Sequence, residues 1–393
     1  MSSDPIVIVA ARRTPIGGFQ GVLSGATAPN LGAAAISGAI ADAGIGAADI
    51  DQVLMGCVLP AGLGQAPARQ AAINAGIPVG TACTTVNKMC GSGMMAIMLG
   101  HDLLKAESAS VVVAGGLESM SNAPYLLPKA RRGYRMGHQE VLDHMFYDGL
   151  QDPWEGQMMG HYAENTAEKY GFSREDQDTF AIESVTRAQA AVGDGTFADE
   201  IAPVTIKSRK GDVTIESDET PGAVRIDKIP TLRAAFRKGG TVTAATSSSI
   251  SDGAAATLLM TASEAERRGL EPLAQLVGHS SFAQEPAWFT TAPVSAIKKL
   301  HEMLGWSPDD VDLYEINEAF AVVTMAAMQD VGLDHSKVNV NGGACALGHP
   351  IGATGARITT TLLYALKARN LNRGIASLCI GGGEAVAIGV ELI

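Results

Sequence analysis

Cysteine, aromatic side chains and positive charge are all scarce in this chain of 393 residues, and each shortage closes a class of function. The five cysteines are odd in number and too few for a disulfide framework. Cys57, Cys83, Cys90, Cys345 and Cys379 include no CxxC pair, so no zinc site is expected, and no metal. Reduced thiols point to a reducing compartment, hence the cytoplasm. Lys and Arg total 29 against 41 Asp and Glu, a net charge of −12. Such a chain has no general attraction for nucleic-acid backbones or anionic lipid, so neither nucleic acid nor a membrane is an expected partner. An anionic ligand must be held by local groups. No stretch reaches about 18 uninterrupted apolar residues, so no membrane span is expected. The start, Met1 to Val9, reads as a polar tail and a strand rather than a signal peptide, and Glu391-Leu-Ile is no peroxisomal address. Walker and Gly-x-Ser-x-Gly motifs are missing. Gly62-x-Gly64-x-x-Pro67 lacks the third glycine of a dinucleotide fingerprint, and His301-Glu-Met-Leu-Gly lacks the second histidine of a zinc-protease helix.

What is present is small and apolar. Apolar residues make up 46 %, charged residues 18 %, and glycine contributes 45 positions, so an ordered interior of small side chains and close backbone contacts is expected. The length suits two or three domains. Ile6–Ala10, Val53–Gly56 and Val111–Ala114 read as buried strands, the last closed by Gly115-Gly116. Helical stretches around Leu31–Ala43 and Met94–Lys105 lie between them, a βαβ rhythm that implies a sheet covered by helices. Residues 121–250 break this rhythm with prolines, arginines and dense charge. Within them a helix is expected over Ser173–Val192, with Ser173 as N-cap and Asp176 three residues on.

The last 120 or so residues return to the first pattern. Ala48–Gly56 matches Asp309–Asn317, 261 positions away, and Val112–Glu118 matches Leu378–Glu384, 266 positions away. The reading is a duplicated α/β chain: an N-terminal half of residues 1–120 plus 251–270, a loop domain inserted at 121–250, and a C-terminal half of 271–393.

Three places could carry chemistry. Cys90 lies in Val86-Asn-Lys-Met-Cys-Gly-Ser-Gly93, just before an apolar helical stretch whose unpaired amides and dipole favour a thiolate. A buried structural cysteine fits the same residues about equally well. Cys379 opens Cys-Ile-Gly-Gly-Gly383, where glycines after a strand expose amides suited to an oxyanion or phosphate. A core cysteine before a tight turn is the more common case. His349 sits in a shaped loop, Gly348-His-Pro-Ile-Gly-Ala-Thr354, where a histidine is more often functional than on a helix face. Duplication places this loop opposite that of Cys90. Met94, Met95 and Met98 fall at helical spacing and read as core, and Arg131, Arg132 and Arg135 as a solvated or intersubunit loop.

Taken together, Asn87-Lys-Met-Cys-Gly-Ser-Gly93, Asn317-Glu-Ala-Phe320 and Gly348-His-Pro-Ile-Gly-Ala-Thr-Gly355 resemble the thiolase family, over essentially the whole chain. The resemblance implies an α/β, duplicated αβαβα five-layer fold with an inserted loop domain. It implies an acetyl-CoA C-acetyltransferase, joining two acetyl-CoA to acetoacetyl-CoA and CoA, with CoA and its thioesters as substrates and no cofactor. By the same resemblance Cys90 is the acylated nucleophile, His349 its base, and Cys379 the acid/base at the α-carbon. Asn317 holds a thioester oxygen with His349, and the N–H groups of Cys90 and Gly381 form a second oxyanion hole. Ser248, Met159, Phe289, Ala319 and Phe320 line the pantetheine and acyl site. The Arg131–Gly137 loop resembles one that assembles homotetramers. The competing readings are a degradative 3-ketoacyl-CoA thiolase of broader chain length and a non-catalytic acyl-CoA or lipid binder. Against family habit, Met158-Met159 stands where a histidine often precedes Met-Gly, Thr246 replaces an asparagine, and Phe289 stands where a methionine often lines the pocket. These changes bear on CoA contacts and acyl selectivity rather than on the chemistry.

Overall fold

The computed structural model describes residues 4–393 except Ser208 and Lys210. Its main strands are β1 (Ile6–Arg13), β2 (Gln52–Gly56), β3 (Ala82–Val86), β4 (Val111–Ser119), β5 (Ser251–Thr261), β6 (Ala274–Ala283), β7 (Leu313–Ile316), β8 (Arg373–Ile380) and β9 (Glu384–Leu392). They follow one hydrogen-bonded path, β7-β8-β9-β6-β1-β5-β4-β2-β3. The two halves of that path join through β1 and β6 at only two paired positions, Val7 with Gln275 and Ile8 with Ala274.

Strand alternation sorts side chains into layers. Val53, Met55, Val113 and Leu258 face α1 (Ala28–Ala43) and α2 (Pro67–Asn74) in one cluster with Leu31, Ile36 and Ala71. Leu54, Val112 and Leu259 face the other way, into α3 (Ser92–Lys105) and α8 (Thr354–Arg369). That middle cluster also takes Leu313, Leu378 and Ile388 from the second half, so α3 and α8 are buried between two sheet halves. Beyond the second half lie α6 (Ala292–Leu304) and α7 (Ala321–Val331), whose Ile297, Leu300 and Ala327 pack on Tyr314, Ile316 and Ile375. Helix, sheet, helix, sheet, helix is the five-layer order expected. Among the described residues, no helix is long and apolar enough to cross a membrane.

Local rules explain much of the rest. The helix α5 (Arg174–Gly193) starts on Ser173, which accepts from the Asp176 N–H while Asp176 accepts from the Ser173 N–H at 2.8 Å, a capping box as the sequence indicates. It follows α4 (Met159–Tyr170) in the stretch between β4 and β5. Arg13, at the end of β1, is fully buried and forks onto Asp218 at 2.7 and 2.9 Å while also meeting Glu200, both from that stretch. Removing Arg13 would leave two buried carboxylates without their cation, a loss of about 3–5 kcal/mol or more.

Two expectations need correction. The strand from Val111 does not close at Gly115-Gly116 but runs on to Ser119. These glycines sit in mid-strand because a Cβ at Gly116 would collide with the Gly352 carbonyl oxygen, and one at Gly115 with the Ala255 carbonyl. The second repeat match is also out of register. Gln52 pairs with Val112 and its counterpart Leu313 pairs with Gly374, so β4 and β8 correspond at a separation of 262, not 266. Gly115-Gly116 and Gly381–Gly383 resemble each other by residue type alone: one pair is strand, the other three form a turn. The first match stands, since Ala47–Asp49 and Pro308–Asp310 are both single helical turns leading into parallel-paired strands.

Candidate active site

The Cys90 loop begins with a strained residue. Met89 adopts φ 47°, uncommon for a side chain of its size, and is held there by its N–H on Asn87 Oδ1 at 2.9 Å and its carbonyl on Ser92 Oγ at 2.6 Å. The result turns Cys90 into a partly exposed corner two residues ahead of α3, packed against the cluster that includes Ile351 of the His349 loop. Lys88 pairs with Glu384 just beyond the Gly381–Gly383 turn, locking the two loops together. Burial pushes the Cys90 thiol up to about 11, the amide N–H groups of Gly381 and of Cys90 itself pull it down, and Glu118 adds a further upward push. This reverses the expectation of a resting thiolate. The helpful amides come from the corner and the glycine turn, and desolvation outweighs them.

A Cβ at Gly381 would lie 3.6 Å from Met159 Sδ, an ordinary contact. Gly382 and Gly383 have φ 97° and 90°. Cys379 ends up fully buried on β8, in one cluster with Met159, Phe289, Ala319 and Phe320. Burial holds its thiol well above the usual range, and Cys90 raises it further.

His349 is buried, and its ring is oriented by one hydroxyl. Thr354 Oγ1 donates its proton to the Pro350 carbonyl at 2.9 Å and lies 2.6 Å from His349 Nδ1. A hydroxyl has one proton to give, so Nδ1 carries the ring proton and Nε2 the lone pair. Nε2 is buried with no hydrogen-bond partner, as are both amide atoms of Asn317. Burial, with Arg357 nearby, pushes His349 down to about 3, so the ring is neutral across the physiological range. Buried, unpartnered polar atoms are costly in a finished core and expected where a ligand supplies the partner.

A ladder of backbone contacts ties these parts together. His349 N–H donates to the Ser249 carbonyl at 3.1 Å, Ser248 N–H and Oγ donate to the Ala319 carbonyl at 3.0 and 3.1 Å, and Asn317 N–H reaches Ser377 beside Cys379. Thus the ten residues singled out from the sequence fall into one connected neighbourhood. Two residues that carry it were missed. Glu118, fully buried at the end of β4, accepts from the N–H groups of Val58 at 2.9 Å, Leu59 at 3.1 Å and Gly352 at 2.9 Å, clamping the His349 loop onto the first half. Burial raises its carboxyl to about 7 against those donors. Arg357, buried in α8, lies 3.6 Å from Glu315 with its other donors unpartnered. Nothing in the local sequence distinguishes either from an ordinary strand or helix residue.

Fold and site define an α/β protein of duplicated halves whose joint holds two thiols, a neutral imidazole and exposed turn amides. The chain belongs to the thiolase family: residues 6–263 match the thiolase N-terminal domain and 270–392 the thiolase C-terminal domain. It is 49 % identical to an acetyl-CoA acetyltransferase of Pseudomonas aeruginosa over 98 % of both chains, and 49 % identical to one of Rhizobium meliloti over the whole of both. The crystal structure of the Bacillus anthracis acetyl-CoA acetyltransferase superposes with a TM-score of 0.97 at 42 % identity, covering 99 % of each chain.

Proposed function

We propose that the chain is an acetyl-CoA C-acetyltransferase that interconverts two acetyl-CoA with acetoacetyl-CoA and CoA through S-acetyl-Cys90. The carrying observation is that a protonated, partly exposed Cys90 thiol and a buried neutral His349 with an unpartnered Nε2 stand on loops that meet in one cluster. A thiol near 11 needs a base at the moment of attack, and a histidine kept neutral is that base.

In the thiolytic direction, His349 Nε2 takes the Cys90 proton as sulfur bonds to the ketone carbon of acetoacetyl-CoA. The adjacent carbon–carbon bond breaks, and its electron pair stays on the departing acetyl-CoA carbon, which takes the proton of Cys379. Burial keeps that thiol protonated at rest, which suits donation. CoA then gives its proton to the Cys379 thiolate and attacks the acetyl group, and Cys90 leaves and recovers its proton from His349. Charge gathers on a carbonyl oxygen in each half, where the amides of Cys90 and Gly381 and the side chains of Asn317 and His349 serve as donors. Condensation is the same path reversed.

Met159, Phe289, Ala319 and Phe320 form the acyl wall, with Phe289 edge-on to Tyr162 at 6.4 Å, and Ser248 stands on the pantetheine side. The reading divides the chain at 120, 250 and 270 into the halves and inserted loop domain given above, places it in the cytoplasm, where its five unpaired cysteines stay reduced, and makes it a tetramer. The tetramer rests on the solvent-exposed 127–141 stretch, where Met136 is 90 % exposed. Thiolysis of four-carbon and ten-carbon 3-ketoacyl-CoA tests the substrate: a strong four-carbon preference is expected, comparable rates would favour the broader degradative enzyme, and no turnover of either the binder.

A further inference from the structure

We propose that His101, Asp102 and His279 form a binding site for a zinc-class divalent cation at the seam between the two halves, away from the thiols. His101 and Asp102 are neighbours near the end of α3, and His279 projects from β6, 177 positions from Asp102. His101 Nδ1 and His279 Nε2 each lie 3.0 Å from the same oxygen, Asp102 Oδ1. The three potential ligand atoms all fall within 4.8 Å of one another, and the rings meet edge to face at 88° with centroids 5.1 Å apart.

Tetrahedral zinc holds nitrogen and oxygen ligands at about 2.0–2.2 Å, which sets them about 3.3 Å from each other. Both ring-to-carboxylate separations, at 3.0 Å, lie close to that spacing, and the two ring nitrogens are within 4.8 Å of each other. Two imidazoles and a carboxylate are the donor set borderline metals prefer, and three protein ligands leave further positions to water, which the half-exposed Asp102 carboxylate admits. Without metal, both rings point an N–H at one carboxylate oxygen. With metal, each ring carries its proton on the far nitrogen, and a neutral ring is required. Burial already lowers His101 in that direction. Lys105, one turn on, sends its ammonium to the Asp4 carbonyl at 2.6 Å. A bound cation would pin α3, whose first turn follows Cys90, to the opening strand of the second half. The role is structural and does not depend on the reaction assigned above.

The test uses the full chain with accessible thiols blocked by iodoacetamide, so that cysteines do not compete. Zinc chloride is titrated calorimetrically into wild type, His279→Gln and Asp102→Asn, and Tm is read with and without zinc. Expected are one zinc per wild-type chain, a Tm rise on loading, and affinity at least about 10-fold weaker in each variant with the rise abolished. Unchanged zinc-free Tm, together with unchanged thiolysis measured before the thiols are blocked, confirms that the variants fold. Absence of binding by wild type overturns the proposal, and so does equal affinity in all three proteins, which would place the zinc elsewhere.

Discussion

Thr354 offers the sharpest perturbation, because its hydroxyl alone sets which nitrogen of His349 is free. Thr354→Val keeps the shape of a fully buried side chain and removes the oxygen 2.6 Å from Nδ1. A buried N–H left without an acceptor costs about 1–3 kcal/mol. Without that acceptor the Nδ1–H form loses its preference over the Nε2–H form, and the imidazolium formed when Nε2 accepts the Cys90 proton loses the same support. At 1.4 kcal/mol per factor of ten, kcat should fall by about 10- to 100-fold. Thr354→Ser restores the hydroxyl and should recover most of the rate. The loss should be flat from pH 5 to 8, because burial and Arg357 hold His349 near 3 in either protein. The sign for stability follows from the same depression. The neutral ring contributes fully above its ordinary range near 6.5, and that contribution drains away as pH falls towards 3. Steady-state thiolysis of acetoacetyl-CoA across that pH range is the assay, with KM expected to change little. A Val variant as fast as wild type, or a Ser variant as slow as Val, would refute the tautomer assignment.

Glu118→Gln should lower stability by about 2–4 kcal/mol by urea denaturation, because the new amide keeps one acceptor oxygen and turns its NH2 against at least one of the three backbone donors; a change within about 0.5 kcal/mol would contradict the clamp. Gly381→Ala should fold with a loss below about 1 kcal/mol, its Cβ finding 3.6 Å of room, whereas Gly383→Ala, at φ 90° and against the Gln284 carbonyl, should lose about 3 kcal/mol or more; equal thermal shifts would overturn the assigned turn geometry. Alkylation of Cys90 by iodoacetamide, followed by peptide mass spectrometry, should keep accelerating with pH towards 11 rather than level off near 8; an early plateau would mean the amides win over burial.

What the sequence made legible was local or punctuated. Ser173 and Asp176 announce a helix start three residues apart, and the capping box is there. Glycine and proline around Cys90, His349 and Gly381 mark shaped turns, and those turns meet. The unreadable parts depend on partners far away in the chain. Glu118 gathers amides from positions 58, 59 and 352, and its type alone says nothing of that. Register failed for a related reason: two glycine runs were matched by composition, although one is a mid-strand approach and the other a turn. The sign of the Cys90 shift was missed because a helix end is visible in sequence and desolvation is not.

The central claim is that Cys90 carries an acetyl group during turnover. The most direct measurement is intact mass after mixing the protein with acetoacetyl-CoA, with free CoA omitted and Cys90→Ala as control. One acetyl adduct per wild-type chain, absent from the control, is the predicted result. No adduct on folded wild-type protein, or an adduct that persists in Cys90→Ala, would contradict it.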